Sequence, residues 1–251
     1  MYAAGLTATG LVRSHNEDVI FYTAQPIGPL PNLFVVADGM GGHNAGEVAS
    51  AKSLEFSCDF LRGASSAPSA EPGYIRDFLV SAVHAANKAV FEYAASNPAY
   101  FGMGTTFSAC SIASNTLAVA HIGDSRIYAI SPDHISQITT DHTFVEEMVQ
   151  AGSLTPSQAK THPRRNVLTR VLGCDPLVSA DGTLHSLDGV SSVLLCSDGL
   201  TDMLSDEEIM NLTTQNASAD DRVQALIDAA NRQGGVDNIS AIIIDVKGET
   251  H

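Results

Sequence analysis

Apolar and polar residues alternate along this chain in two recognisable ways. Short runs rich in Val, Ile, Leu, Phe and Ala, bounded by turn residues, occur at residues 2–9, 19–23, 33–37, 105–113, 116–122, 126–131, 192–196 and 239–246. These read as strands, several of them separated by brief turns as in antiparallel meanders. Residues 47–61 and 75–96 carry apolar side chains at helical spacing over helical lengths. Residues 206–212, behind a Ser205 cap, and residues 220–233 predict two further helices. The stretch from Arg62 to Gly73, rich in Ala, Ser and Pro, reads as a surface loop. Residues 141–173 read as irregular apart from an amphipathic stretch over 144–151. Strands and helices therefore come in blocks rather than in strict alternation. That order points to an α+β fold of antiparallel sheets covered by helices, not to a doubly wound parallel sheet. With no internal repeat and no interdomain linker, residues 1–251 read as one domain.

Composition narrows the function. Hydrophobic residues make up 44% of the 251, enough for a sizeable core. The formal charge of −15, from 13 basic and 28 acidic residues, argues against a sequence-independent nucleic-acid binder and against docking on anionic lipid. Acidity of this kind first means solubility; gathered in one cleft, it would also concentrate cations. Cys58, Cys110, Cys174 and Cys196 form no CxxC pair, and Cys110 and Cys196 lie inside apolar runs. A zinc site or disulfide framework is not expected, and a reducing compartment fits. There is no signal-peptide pattern and no apolar run near the ~20 residues of a membrane span, so the expected location is the cytoplasm.

The chemistry sits at strand ends. Residues 33–37 run into Asp38-Gly39, residues 193–197 run into Asp198-Gly199, and Val236-Asp237-Asn238 precedes the last strand. Carboxylates placed at sheet edges are the oxygen donors that hard cations such as Mg²⁺ and Mn²⁺ take. Read singly, each Asp-Gly is equally a common turn. Arg13-Ser14-His15-Asn16-Glu17-Asp18 places one cation and two carboxylates just before a strand, where Arg13 suits bidentate contact with phosphate or a plain solvated turn. Ile122-Gly123-Asp124-Ser125-Arg126 is a further Gly-Asp turn between two β runs. No P-loop and no HExxH motif is present.

Together these segments resemble the metal-dependent protein phosphatase family of the protein phosphatase 2C type, in particular its compact bacterial members. The resemblance rests on Arg13-x-x-Asn16-Glu17-Asp18, Val36-Ala37-Asp38-Gly39-Met40-Gly41-Gly42-His43 and Gly102-Met103-Gly104-Thr105-Thr106. It continues through Ile122-Gly123-Asp124-Ser125-Arg126, Cys196-Ser197-Asp198-Gly199-Leu200 and Gly235-Val236-Asp237-Asn238-Ile239-Ser240, all in the family's order.

The resemblance implies a four-layer α-β-β-α sandwich, two antiparallel sheets flanked by helices, with a flap at about residues 141–173. It implies two core Mn²⁺ or Mg²⁺ ions: Asp38 bridging both, the Gly39 carbonyl on the second, and Asp198 and Asp237 completing the first. Asp124 with Asp198 would hold a third ion, Glu17 and Asp18 would orient water in the outer shell, and Arg13 would bind phosphate. The implied reaction is hydrolysis of phosphoserine and phosphothreonine by in-line attack of water, without a phosphoenzyme. The implied partners are phosphorylated proteins, the substrates of a cognate Ser/Thr kinase, met by a monomer.

Where animal members have Asp-Gly-His-Gly-Gly, this chain has Asp38-Gly39-Met40-Gly41-Gly42-His43. Met40 cannot carry a proton, so His43 becomes the candidate donor, with a water on the third ion as the competing acid. In the flap, Arg164 and Arg165 are candidates for contact with phosphate or acidic substrate side chains, and Asn166 for the third ion. His142 and His162 read as structural. Two rival functions remain at this stage. A phosphoprotein-binding pseudophosphatase would predict loss of a metal aspartate, and none is lost. A metal-dependent phosphoesterase for small molecules would need a specificity pocket.

Overall fold

The run Leu33-Phe34-Val35-Val36-Ala37 is apolar without interruption because both faces of its strand are covered. In the computed structural model, which describes residues 1–41 and 45–246, Phe34 and Val36 point between two sheets. Leu33, Val35 and Ala37 point the other way, into a helix-covered core. The period-two alternation of a strand thus divides one run between two hydrophobic layers.

The first sheet has the order β1 (Tyr2–Ala8), β11 (Ile239–Asp245), β10 (Ser192–Cys196), β7 (Arg126–Ser131), β8 (His134–Gln137). The second runs β2 (Asp18–Thr23), β3 (Leu33–Met40), β5 (Phe107–Ala113), β6 (Thr116–Ile122), β9 (Asp181–Ser186), with short β4 (Gly104–Thr105) paired to the end of β3. All neighbouring strands are antiparallel. Between the sheets lie Phe34, Val36, Cys110, Val119, Leu195 and Ile242. Helices α1 (Ala45–Gly63) and α2 (Pro72–Ser96) cover the outer face of the second sheet, and α6 (Asp206–Thr213) and α7 (Ala219–Arg232) that of the first. This is the α-β-β-α sandwich anticipated from the sequence. Among the described residues, no helix is long and apolar enough to cross a membrane.

Local chemistry sets the helix starts. Glu71 accepts from the amides of Gly73 and Tyr74 ahead of α2, with Pro72 at the first position. Ser205 and Glu208 form a reciprocal capping box on α6, as the Ser205 cap predicts. Three details depart from the sequence reading. Residues 105–113 are not one strand, because Thr106 leaves the ladder to bond Asp38. Residues 181–186, where the sequence predicts no strand, form β9, an edge strand whose exposed side chains carry no apolar alternation. β8 is too short for periodicity to register. The 141–173 segment contains α3 (Phe144–Gln150) and α4 (Pro156–Lys160), and its two ends pair through a Thr143–Leu168 bridge.

Candidate active site

At one end of the sandwich the end of β3, the β6–β7 turn, the start of α5 (Asp198–Thr201) and the entry to β11 meet in a cleft of about 250 Å³. Its lining includes Arg13, Glu17, Asp38, Gly39, Asp124, Asn166, Asp198 and Asp237, so four aspartates from separate motifs do converge. A larger groove of about 560 Å³ against Tyr93 and Tyr100 holds only Glu47 and Lys52 as charged groups among its described lining, not a donor set comparable to the cleft's.

Neither Asp-Gly pair is a turn. Asp38-Gly39 lies within β3, and Gly39 is required because a Cβ there would stand 2.0 Å from the carbonyl oxygen of Gly46 in α1. Asp198-Gly199 opens α5, and a Cβ on Gly199 would stand 2.0 Å from the carbonyl oxygen of Asn238. In both cases glycine permits a second backbone to press against the residue that follows the carboxylate. Asp38 is fixed through its own backbone: its amide donates to Thr106 Oγ1 at 2.9 Å and its carbonyl accepts from the Thr106 amide and Thr105 Oγ1, each at 2.8 Å.

Asp18 is the cross-strand partner of Asp38 and is buried. Its Oδ2 accepts from Ser197 Oγ and Ser240 Oγ, both at 2.7 Å, which ties the two sheets together beneath the cleft. The Glu17 carboxyl lies against Gly46 at the start of α1, where a Cβ would stand 2.7 Å from it, placing a carboxylate beside a helix N-terminus. Arg13 Nη2 donates to Asp237 Oδ2 at 2.6 Å at the mouth of the cleft, a half-exposed pair. Asn238 Oδ1 accepts from the Glu17 amide, while its Nδ2 donates to the carbonyls of Thr9 and His15.

Crowding leaves its mark on proton affinity. Burial, reinforced by neighbouring carboxylates, raises Asp18 to about 7 and Asp198 to about 6, and holds Asp38 and Asp124 well above the usual carboxylate range. Asp38 and Asp198 stand within hydrogen-bonding reach of each other. Among the described residues, no three carboxylate, imidazole or thiol groups already form a ready ligand set around one point. The donor chemistry nevertheless fits a hard divalent cation: among the described residues the donors are oxygens only, the carboxylates repel one another, and Asp18 Oδ1 and Asp198 Oδ1 are buried without a partner.

The remaining anticipated residues divide. His43 lies outside the described residues. Arg164 stacks on Phe144, 3.7 Å from the ring centre, and Arg165 bonds Asp202 at 3.0 Å and Asn166 at 2.9 Å, so neither guanidinium lines the cleft. Asn166 does. The sequence reading missed the supports: Thr106, Ser197, Asn238 and Ser240. Each lies inside one of the six motifs, and the signal was a small polar residue next to an otherwise apolar run.

The chain has close relatives with the same layout. The family model described as protein phosphatase 2C matches residues 12–240. A serine/threonine phosphatase stp of Listeria monocytogenes is 34% identical over 249 residues, covering 98% of this chain and 96% of the relative. The crystal structure of serine/threonine phosphatase Stp1 from Staphylococcus aureus superposes with a TM-score of 0.90 at 35% identity, covering 98% of this chain and 95% of that one. The catalytic domain of serine/threonine protein phosphatase PstP, solved in complex with 2 manganese ions, superposes at 0.81 with 34% identity over 97% of each chain. Identity of this extent across nearly the whole length, on top of the shared sandwich and its acidic end, makes the chain a member of the protein phosphatase 2C family.

Proposed function

We infer that this chain is a metal-dependent protein serine/threonine phosphatase that hydrolyses phosphoserine and phosphothreonine by in-line attack of water, without a phosphoenzyme. The observation that carries this reading is the convergence of Asp38, Asp124, Asp198 and Asp237 with Arg13 on one cleft. Asp38, the Gly39 carbonyl, Asp198 and Asp237 would hold two Mn²⁺ or Mg²⁺ ions, and Asp124 with Asp198 a third. Bound there, the cations supply Lewis acidity, ease deprotonation of the attacking water and neutralise phosphoryl charge.

The chain's own residues do the rest. Arg13 keeps one nitrogen on Asp237, and its remaining donors, which bond no other described residue, orient a phosphoryl oxygen at the mouth. Glu17 and Asp18 hold the outer shell. Of the described lining residues only Thr106 carries a hydroxyl, and that oxygen is engaged by the Asp38 amide and by Ser125 Oγ at 2.7 Å, which leaves no free hydroxyl or thiol nucleophile among the described lining. Residues 141–173 act as the flap, with Asn166 facing the cleft and Arg164 and Arg165 bracing it. Substrates are phosphoproteins made by a cognate Ser/Thr kinase in the cytoplasm, met by a monomer.

The test is hydrolysis of p-nitrophenyl phosphate and of a phosphothreonine peptide with Mn²⁺ or Mg²⁺, before and after chelation. Chelator should abolish both, and Asp38→Ala or Asp198→Ala should each remove nearly all activity while the circular dichroism spectrum is kept. Full activity in either variant, or preference for a phosphotyrosine peptide, overturns the reading.

A further inference from the structure

His142 lies at the root of the flap and is buried, yet the chemistry above gives it no task. It grips the turn that carries Asp124 with two bonds. Its amide donates to the Gly123 carbonyl at 2.8 Å, and its ring Nδ1 accepts from the Gly123 amide at 3.1 Å. An accepting Nδ1 puts the ring proton on Nε2, which faces Asp181 Oδ2 at 3.1 Å on β9. Asp181 is anchored in turn by Arg170, whose Nη1 donates to Oδ1 at 2.8 Å. Burial first, with the Arg170 cation beside it, lowers the His142 pKa and keeps the ring neutral, as an acceptor must be. The His142 carbonyl accepts from the Thr169 amide at 2.8 Å, so the outgoing and returning ends of the flap meet on this residue. Asn166 and Leu168, just before Thr169, line the cleft. Gly123 has little freedom to answer otherwise: its φ is +104°, and a Cβ there would stand 2.6 Å from the Thr106 side chain.

We propose that His142 is a positioning residue that locks the Gly123–Asp124 turn to the base of the flap and thereby sets the affinity of the third cation site. The proposal rests on the reading of Asp124 as that site's ligand. The Gly123 amide and Asp181 fix the tautomer, while Arg170 Nη1, 3.2 Å from Nε2, holds Asp181 in place; the Gly123 bond does the positioning. Partners of this kind, one bond removed from a ligand, commonly change metal affinity by about 10-fold or more when lost.

The experiment is calorimetric titration of the metal-free protein with Mn²⁺, alongside thermal unfolding in EDTA. Wild type should show a weaker binding step beyond the tight ones, absent in Asp124→Asn. His142→Leu should weaken that step by about 10-fold and leave the tight steps unchanged. His142→Asn, whose amide oxygen can stand in for Nδ1, should keep it within about threefold, whereas His142→Gln, which reaches only towards Asp181, should not. If His142→Leu does not fold, Asp181→Ala, at a half-exposed position, should weaken the same step by about threefold. A His142→Leu or Asp181→Ala titration identical to wild type overturns the proposal, as does equal weakening in His142→Asn and His142→Leu. An unchanged titration in Asp124→Asn overturns the third-site reading itself.

Discussion

Replacing Asp18 by asparagine should make the metal-free protein harder to unfold at neutral pH. Asp18 is buried, one of its oxygens has no partner among the described residues, and burial first, then Asp198 and Asp237, outweigh the two serine hydroxyls to raise its pKa from 3.8 to about 7. The folded protein therefore keeps a proton that the unfolded chain releases above about pH 4. Native stability from this group falls as pH climbs from about 4 to about 7 and is level beyond, the reverse of a salt-bridged carboxylate. Each pH unit separating the folded and unfolded pKa values is worth about 1.4 kcal/mol, so the ceiling is about 4 kcal/mol; because the repulsion is shared with Asp198, about 2 kcal/mol is the expected effect.

An asparagine amide at this position would still accept from both serines and would carry no charge. His121 and His142, whose pKa values burial lowers, impose the opposite slope in the same range, but they cancel in the difference between the two proteins. The assay is urea unfolding in EDTA across about pH 5 to 8, reading the difference in unfolding free energy. That difference should grow with pH up to about 7 and then flatten. Added Mn²⁺ should shrink or reverse it, because only the wild-type cleft retains its full charge for the cation. A difference that does not vary with pH, or a variant less stable throughout, would refute the argument.

Three other outcomes are expected. Gly46→Ala would put a Cβ 2.7 Å from the Glu17 carboxyl carbon and 2.9 Å from the Gly39 carbonyl carbon, so it should cost about 1–3 kcal/mol by thermal melting and lower phosphatase activity by displacing β3 from α1. Arg222→Met would strip both Nη2 bonds from Asp245 (2.7 and 2.8 Å) and the 2.9 Å bond to the Thr213 carbonyl; a loss of about 3 kcal/mol in urea unfolding, with turnover unchanged in the folded fraction, is expected. Arg164→Ala plus Arg165→Ala breaks only exposed contacts, so stability should shift by about 1 kcal/mol or less, while kcat/KM should fall more for a phosphoprotein than for p-nitrophenyl phosphate.

The sequence carried the architecture because burial on both faces of a strand leaves a local trace. Leu33–Ala37, Ser192–Cys196 and the last strand are apolar almost throughout, and Ser205 with Glu208 announces its helix in four residues. Edge strands such as β9 leave no such trace, since one side meets solvent and pairing alone makes them strands. In the site, Asp38, Asp124, Asp198 and Asp237 were legible from their motifs and their order. What the chain alone could not give is why glycine follows two of them. Gly39 and Gly199 answer to the Gly46 and Asn238 carbonyls, which the packing of α1 on β3 and the pairing of β10 with β11 bring near.

The same division holds for the charges. Sequence determined how many carboxylates this protein has and that several stand beside apolar runs; tertiary structure decided which of them share a cleft and which are pinned. Asp18 is held by Ser197 and Ser240, far away along the chain, and Arg165 is held by Asp202 rather than free. Periodicity and capping act over a few neighbouring residues, so a sequence displays them directly. Electrostatic energy and hydrogen bonding depend on distance in space and on burial, and both are set only when the two sheets close on each other.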